Sequence, residues 1–374
     1  MSTSAKTKAL LPLWHAGPAF HTRAPSGWLN DPCGPAYDVT TGTYHVFYQF
    51  LWPTLPYDKE GIFAGCVYPT APDGKPGQLT AFYTSVCSLP FHWTKPYPRN
   101  AAGLPPGNLY DGGTTWQKSE QNLILAEEPE GMIVTGFRDP YMAAWPAMDN
   151  VRGKTSLYGT ISGGIRDQDP KAFLYAIDPN DMSKWEHIGS LLELPVGHSL
   201  LRKWGGDFGV NWKYANIMTL KHGSEEHEFA IIGSEGGLQR EHLKVGDEAY
   251  STWCMRVAGK LQKQGGIWME YEFSGVLDHG CFYAANSFDD PRSGKRIVWG
   301  WLQEEDLTLS RREAKGWTGH LSLQRELSYH KITNVVRAIK TPLSEITSIH
   351  LKDDDNGTKA LEKMAYDLFR NSNA

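Results

Sequence analysis

Short runs of apolar, β-branched and aromatic residues recur along most of the chain, each bounded by Gly, Pro, Asp or Asn. They lie at residues 44–49, 79–86, 156–162, 172–177, 215–220, 228–232 and 296–301. Runs of this length between turn formers are the signature of strands. No long stretch with helical period appears before the C-terminal end, so the pattern predicts an all-β body.

A weak internal echo refines that expectation. Five segments, 28–32, 61–66, 137–140, 209–217 and 277–285, each set a polar or small motif beside an apolar strand. Measured from Asp31, Phe63, Asp139, Lys213 and Cys281, they stand 32, 76, 74 and 68 residues apart. Near-regular intervals of this size fit four-stranded blades around a common axis, although a β-sandwich of similar length fits the pattern alone. The first interval, 32 residues, hardly holds four strands with their turns, so the first blade is expected to be incomplete. After the acidic run 353–355, which reads as a solvated turn, the pattern changes. Leu361, Met364, Ala365, Leu368 and Phe369 form one apolar stripe of a helix that Thr358 would cap and that would end near Arg370. Such a helix packs most simply on its own domain, and one placement covers the strand edge left by a short first blade. A propeller over residues 1–330 and a C-terminal β segment with this helix over 331–374 are the expected units.

Composition narrows the class of partner. With 37 Lys+Arg against 42 Asp+Glu and no basic block, nothing suggests a nucleic-acid partner. The 14 Trp and 17 Tyr, punctuated by 38 Gly and 23 Pro, fit many strands and turns around an aromatic-lined pocket for a small molecule. The fragment Ala9-Leu10-Leu11-Pro12-Leu13 is interrupted by Pro12 and too short for a signal-peptide core, and no run approaches the length of a membrane span. A cytoplasmic protein without a membrane partner is expected. Five cysteines (Cys33, Cys66, Cys87, Cys254, Cys281) without CxxC spacing favour reduced thiols over a disulfide or zinc framework. His198, His222, His279 and His330 fall in no metal-ligand spacing, and Gly112-Gly113 and Gly163-Gly164 open no helix. No metal or cofactor is expected. A homo-oligomer through the incomplete first blade or the C-terminal helix is compatible with the pattern.

Two motifs carry the chemistry. Trp28-Leu29-Asn30-Asp31-Pro32 and Phe137-Arg138-Asp139-Pro140 each set an Asp immediately before Pro in an aromatic, turn-rich setting. Taken singly, Asp-Pro is an ordinary turn. Opening two different blades, the two carboxylates would converge on one pocket at the axis, and paired carboxylates are what glycoside hydrolysis requires.

With these residues in view, the chain resembles glycoside hydrolase family 32, the invertases, inulinases and fructosyltransferases, and its fungal-type members in particular. Residues 28–34 resemble the family's nucleophile motif, Tyr48-Gln49 the strand after it, and 61–66 the second-blade motif. Tyr83-Thr84-Ser85-Val86, 137–140, 211–217, Val298-Trp299-Gly300-Trp301 and Gly316-Trp317-Thr318-Gly319 follow in family order, so the likeness covers roughly residues 14–330. It implies a five-bladed β-propeller with Asp31 as nucleophile and Asp139 as transition-state stabiliser. Trp28, Asn30, Gln49 and Arg138 lie within the matching motifs and are expected to bind substrate. Trp212, beside Lys213, and Trp317 are expected there too, with core packing as the competing reading for both.

The departures bear on function. Where the family has its acid/base glutamate, Asn211-Trp212-Lys213-Tyr214-Ala215-Asn216 has Lys213. Facing Asp31 and Asp139, that lysine is expected to stay an ammonium and so to be a poor acid/base. Glu235 and Glu186 lie near in sequence, but no matching motif places them in the pocket. Between Phe50 and Tyr57 a stretch usual in the family is skipped, Ala64 stands where Ser is common, and the C-terminal sandwich is reduced to a remnant. Three readings follow. The favoured one is a repurposed enzyme of specialised metabolism performing cyclisation, isomerisation or cycloaddition on a non-sugar small molecule. The alternatives are a working β-fructofuranosidase or fructosyltransferase on sucrose or fructans, and a non-catalytic binding protein.

Overall fold

The computed structural model describes residues 21–24, 27–48, 54–88, 102–103, 106–110, 115–199, 206–236, 252–263, 266–304, 307–329, 336–338 and 348–350. Gln49 and the helix expected over 358–370 lie outside them. Each of the seven apolar runs falls on a strand among the described residues, and most of the strands are longer than the runs because the ladders continue into flanking polar residues.

The strands form five antiparallel sheets in chain order, the blades of a propeller. Blade 1 is the hairpin Cys33–Asp38 with Thr43–Phe47, two strands among the described residues, in keeping with the short first interval. Blade 2 runs Gly61–Tyr68, Leu79–Val86, Pro106–Tyr110 and Thr115–Lys118, with Ala102–Gly103 also paired to its second strand. Blade 3 runs Val134–Ala144, Leu157–Ile165, Pro170–Asp178 and Asp181–Ser190; blade 4 runs Asn211–His222, Glu225–Glu235, Thr252–Leu261 and Met269–Val276. Blade 5 begins with Phe282–Asp290 and Lys295–Leu302. Arg325–Leu327, Val336–Ala338 and Ser348–His350 extend it, and His320–Leu321 also pairs with its second strand. The ring is closed by a parallel pair, Gly27–Trp28 against Trp317–Thr318. Two short helices, Pro146–Arg152 and Leu309–Lys315, each end on a glycine with positive φ. No helix among the described residues is long and apolar enough to cross a membrane.

The innermost strand of every blade carries the same irregularity. Gly34-Pro35, Phe63-Ala64, Asp139-Pro140, Tyr214-Ala215 and Ala284-Ala285 each place two residues opposite one on the neighbouring strand. These β-bulges stand 29, 76, 75 and 70 residues apart and are the structural origin of the sequence echo. Four of the five begin with a residue of positive φ: Gly34 at 48°, Asp139 at 57°, Tyr214 at 48° and Ala284 at 47°.

A bulge frees backbone groups from the ladder, and buried ones need other partners. Here neighbouring blades supply them. The Asp139 N–H donates to Thr84 Oγ1 of blade 2 at 2.8 Å, and the Ala215 N–H to Ser162 Oγ of blade 3 at 2.9 Å. Asn216 donates to Ala285 O at 2.9 Å, and Asn286 to Pro32 O at 3.2 Å and Gly65 O at 3.0 Å, joining blades 4, 5, 1 and 2. Apolar layers fill the space between blades. Met255, Val257, Ile217 and Ile232 belong to a cluster shared with blade 3, and Phe229, Ile231, Phe282 and Val298 to one joining blades 4 and 5.

Arg256 breaks the rule that buried charges are paired. It lies in register with Ile231 and Gly275, is 3 % exposed, and none of its three guanidinium nitrogens has a hydrogen-bond partner. Burial pushes its pKa down to about 9. Replacing a buried, poorly compensated charge by an apolar group of similar length stabilises by about 1–4 kcal/mol. Arg256→Met is therefore expected to raise the urea midpoint of unfolding; a lower midpoint would show that the guanidinium is compensated within the blade.

Candidate active site

The bulges bring the residues just before them to the axis. Asp31 precedes the inner strand of blade 1 and is 2 % exposed. It is anchored on one side by Leu29, whose N–H donates to Thr318 O at 3.1 Å, and on the other by the Asn286 bond to Pro32 O. Lys213 and Arg138 occupy equivalent positions, one residue before the bulges of blades 4 and 3. The Lys213 ammonium lies 2.6 Å from Asp31 Oδ2 and is flanked by the rings of Tyr283 at 5.7 Å and Tyr214 at 5.8 Å. Asp139 is 1 % exposed, with its carboxylate 3.4 Å from Arg138 Nε. Its positive φ is not itself a mark of chemistry, because Ala284 shares it at the same bulge position in blade 5.

Glu235, which no sequence motif placed in the pocket, completes the cluster. Its Oε2 accepts from Arg138 Nη2 at 2.5 Å and from Asn211 Nδ2 at 2.7 Å, and Thr135 Oγ1 donates to Asn211 Oδ1 at 2.9 Å. The signal was present in the sequence: a hairpin turning at Gly223-Ser224, with the bulge at Tyr214-Ala215, sets Asn211 opposite Glu235 and Lys213 opposite Gly233. Glu186 is on the outer strand of blade 3, where it pairs with Arg152 at 3.8 Å, away from this cluster.

Asp31, Asp139, Lys213 and Arg138 are thus brought together, with one revision. The direct ion-pair partner of Lys213 is Asp31, whereas Asp139 is paired with its neighbour Arg138 and feels Lys213 only at longer range. Trp28 stands at the rim, 59 % exposed, with its ring edge-on to Trp301 at 5.9 Å, and Asn30 is half-buried beside it. Trp212 does not line the pocket. It is fully buried in the layer between blades 3 and 4, its indole donating to Phe208 O at 2.9 Å, because alternation along the strand turns it away from Lys213. Trp317 is also committed internally, 6 % exposed with Lys315 Nζ at 3.8 Å and Arg23 at 5.5 Å over its ring.

Three carboxylates face two cations, and burial decides how the difference is settled. Desolvation raises the Asp139 carboxyl to about 6, against the lowering pull of Lys213 and Arg138 and with a further push from Asp31 and Glu235. For Lys213, burial pulls the other way, but Asp31 and Asp139 outweigh it and hold the ammonium above the ordinary lysine pKa. Burial takes the Tyr214 and Tyr283 hydroxyls well above their usual range and the Cys33 thiol up to about 12, so none of these supplies an anionic nucleophile. Oδ1 of Asp31 and Oδ2 of Asp139 accept no hydrogen bond. Among the described residues no group of His, Cys, Asp and Glu could hold a metal ion.

The architecture defines a class: a five-bladed propeller with a buried charge cluster at its axis, its carboxylates contributed by different blades. The family model described as the glycosyl hydrolases family 32 N-terminal domain matches residues 21–53 and 50–339, and the chain belongs to this family. It is 26% identical over 378 residues to a fructan 6-exohydrolase of Beta vulgaris, covering 90% of this chain and 55% of that one. It is 27% identical to an acid beta-fructofuranosidase of Vicia faba, covering 90% and 52%. Among solved structures, the Aspergillus kawachii beta-fructofuranosidase complexed with glycerol superposes with a TM-score of 0.73 at 25% identity, covering 87% of this chain and 60% of that one. The A. japonicus fructosyltransferase gives 0.72 at 23% identity, covering 91% and 67%. The chain therefore spans little more than half the length of the curated relatives it matches.

Two stability measurements test the charge network. Because the folded protein holds the Asp139 proton up to about pH 6, against 3.8 for an ordinary carboxyl, this contribution is fully present below pH 4 and is lost as pH rises through 6. Asp139→Asn removes that titration, so its stability relative to the native chain is expected to improve by up to about 3 kcal/mol from pH 4 to pH 7. A constant difference across urea curves at the two pH values would contradict a raised carboxyl. Lys213→Met leaves the carboxylates without their nearest counter-charge and is expected to cost about 3–5 kcal/mol at pH 7. Its loss should shrink at pH 5, where a carboxyl freed from the ammonium's lowering pull keeps its proton; an equal loss at both values would place the ammonium outside the network.

Proposed function

We propose that this chain is a non-hydrolytic enzyme of specialised metabolism that uses the axial pocket on a non-sugar small molecule, in cyclisation, isomerisation or cycloaddition. The observation that carries this reading is the Lys213 ammonium, 2.6 Å from Asp31, which this reading takes to stand in for the family's acid/base glutamate. Retaining hydrolysis needs a carboxylate free to attack and a carboxylic acid that protonates the leaving oxygen and then activates water. Here the attacking carboxylate is neutralised by the group that replaced the acid. The same ammonium is suited to polarise a carbonyl or to stabilise negative charge developing on its oxygen. Asp139, with its carboxyl near 6, has a pKa matched to proton transfer at neutral pH. An electrophile beside such a base supports isomerisation by proton transfer next to a carbonyl best among the three reactions.

A second reading, a β-fructofuranosidase or fructosyltransferase, is favoured by the names of the relatives and by the presence of both Asp31 and Asp139. Incubation with sucrose, inulin and levan followed by chromatography separates the two. Loss of the proton donor is expected to depress fructose release by ~10²–10⁴-fold relative to a working glycosidase, and release at a glycosidase's rate would sink the proposal. Metabolite profiles of a host producing the native chain or Lys213→Met supply the positive test. Isomerisation predicts that the variant accumulates a precursor of the same mass as the product it no longer makes, and identical profiles would remove Lys213 from the chemistry.

A further inference from the structure

Beyond the bulges and the bonds that Asn216 and Asn286 make to neighbouring blades, the inner strands part around a cavity of ≈ 390 Å³, a far mouth apart from the charge network. Its walls come from residues following the bulges of blades 1, 2, 3 and 5, and it shares no lining residue with Asp31, Asp139 or Lys213. The volume falls within the ~300–1,000 Å³ of ordinary small-molecule pockets. Ala36, Val67, Met142 and Phe288 make the wall largely apolar, and Arg296 and Asp289 are the only Asp, Glu, Lys or Arg residues that line it.

Arg296 is held from several directions. Its Nε donates to Ser287 Oγ at 3.2 Å, and its Nη2 to Ile217 O at 2.9 Å and to the Tyr141 hydroxyl. Those partners are buried and fix the guanidinium at the cavity wall. The remaining partner is different in kind: Nη1 donates to Asp289 Oδ2 at 2.8 Å, and the Asp289 side chain is 73 % exposed while that of Arg296 is 4 % exposed. A buried cation thus has its counter-charge on a side chain that can turn into water at little cost. A carboxylate arriving through the cavity would take over that bond without leaving any charge unpaired, and guanidinium geometry suits it.

We propose that this far mouth binds a small monocarboxylic acid with an apolar body, its carboxylate on Arg296 Nη1 in place of Asp289 and its body against Ala36, Val67, Met142 and Phe288. Charge complementarity selects the head and the apolar wall selects the tail. Calorimetric titration of the full chain with octanoate and with 1-octanol tests both halves. Octanoate is expected to bind at one site at least ~10-fold more tightly than octanol, as for a charge-assisted bond. Asp289→Ala removes the competing carboxylate from an exposed position and is expected to tighten octanoate severalfold, while Lys213→Met leaves octanoate affinity unchanged. Equal binding of the two probes, absence of binding, or an Asp289→Ala variant with native affinity would overturn the proposal. Loss of octanoate binding in a Lys213→Met protein whose far-ultraviolet spectrum and cooperative melting show it folded would move the ligand to the axial charge network and overturn it equally.

Discussion

Five interrupted strands set the terms for everything else in this molecule. Each inner strand breaks its ladder at the axis, and each break exposes peptide groups that no neighbour in the same blade can satisfy. Thr84, Ser162, Asn216 and Asn286 answer them across blade boundaries. The polar side chains that hold the blades in register are therefore the same ones that fix the backbone from which the pocket residues project. Asp139 shows this directly, since its own N–H is the group that Thr84 holds. Precision at the site and cohesion of the ring have one cause.

Within that frame three carboxylates, Asp31, Asp139 and Glu235, and two cations, Lys213 and Arg138, form a nearly balanced cluster, and burial raises the Asp139 carboxyl. The charges are spent largely on one another, with the Lys213 ammonium set beside the Tyr214 and Tyr283 rings and one oxygen each of Asp31 and Asp139 buried without a hydrogen-bond donor.

Much of this was legible in the residues. Turn-bounded apolar runs gave the strands because β-structure is encoded locally by alternation and punctuation, and the spacing from Phe63 to Asp139 to Lys213 falls on or beside the bulges themselves. Asp31, Asp139, Arg138 and Lys213 could be read together because each lies at or within a few residues of the bulge of an inner strand. Trp212 was misplaced because adjacency to Lys213 in sequence means the opposite face in a strand. Glu235 was missed for the converse reason: it is distant in sequence and reaches Arg138 only once the blade 4 hairpin is folded. Arg256 and the far cavity have no local signature, since unpaired burial and enclosed volume are properties of the assembled blades.

The closure of the ring has a consequence in time as well as in space. Gly27–Trp28 meets Trp317–Thr318 across almost the whole chain, through a ladder of two residues per strand. Every other blade can form from hairpins whose strands are neighbours in sequence, but this seam must wait for blade 5. Contacts of such sequence separation form slowly and contribute few bonds once formed. Asp31 follows the seam by only three residues, so its placement beside Lys213 is tied to one of the slowest-closing contacts of the ring.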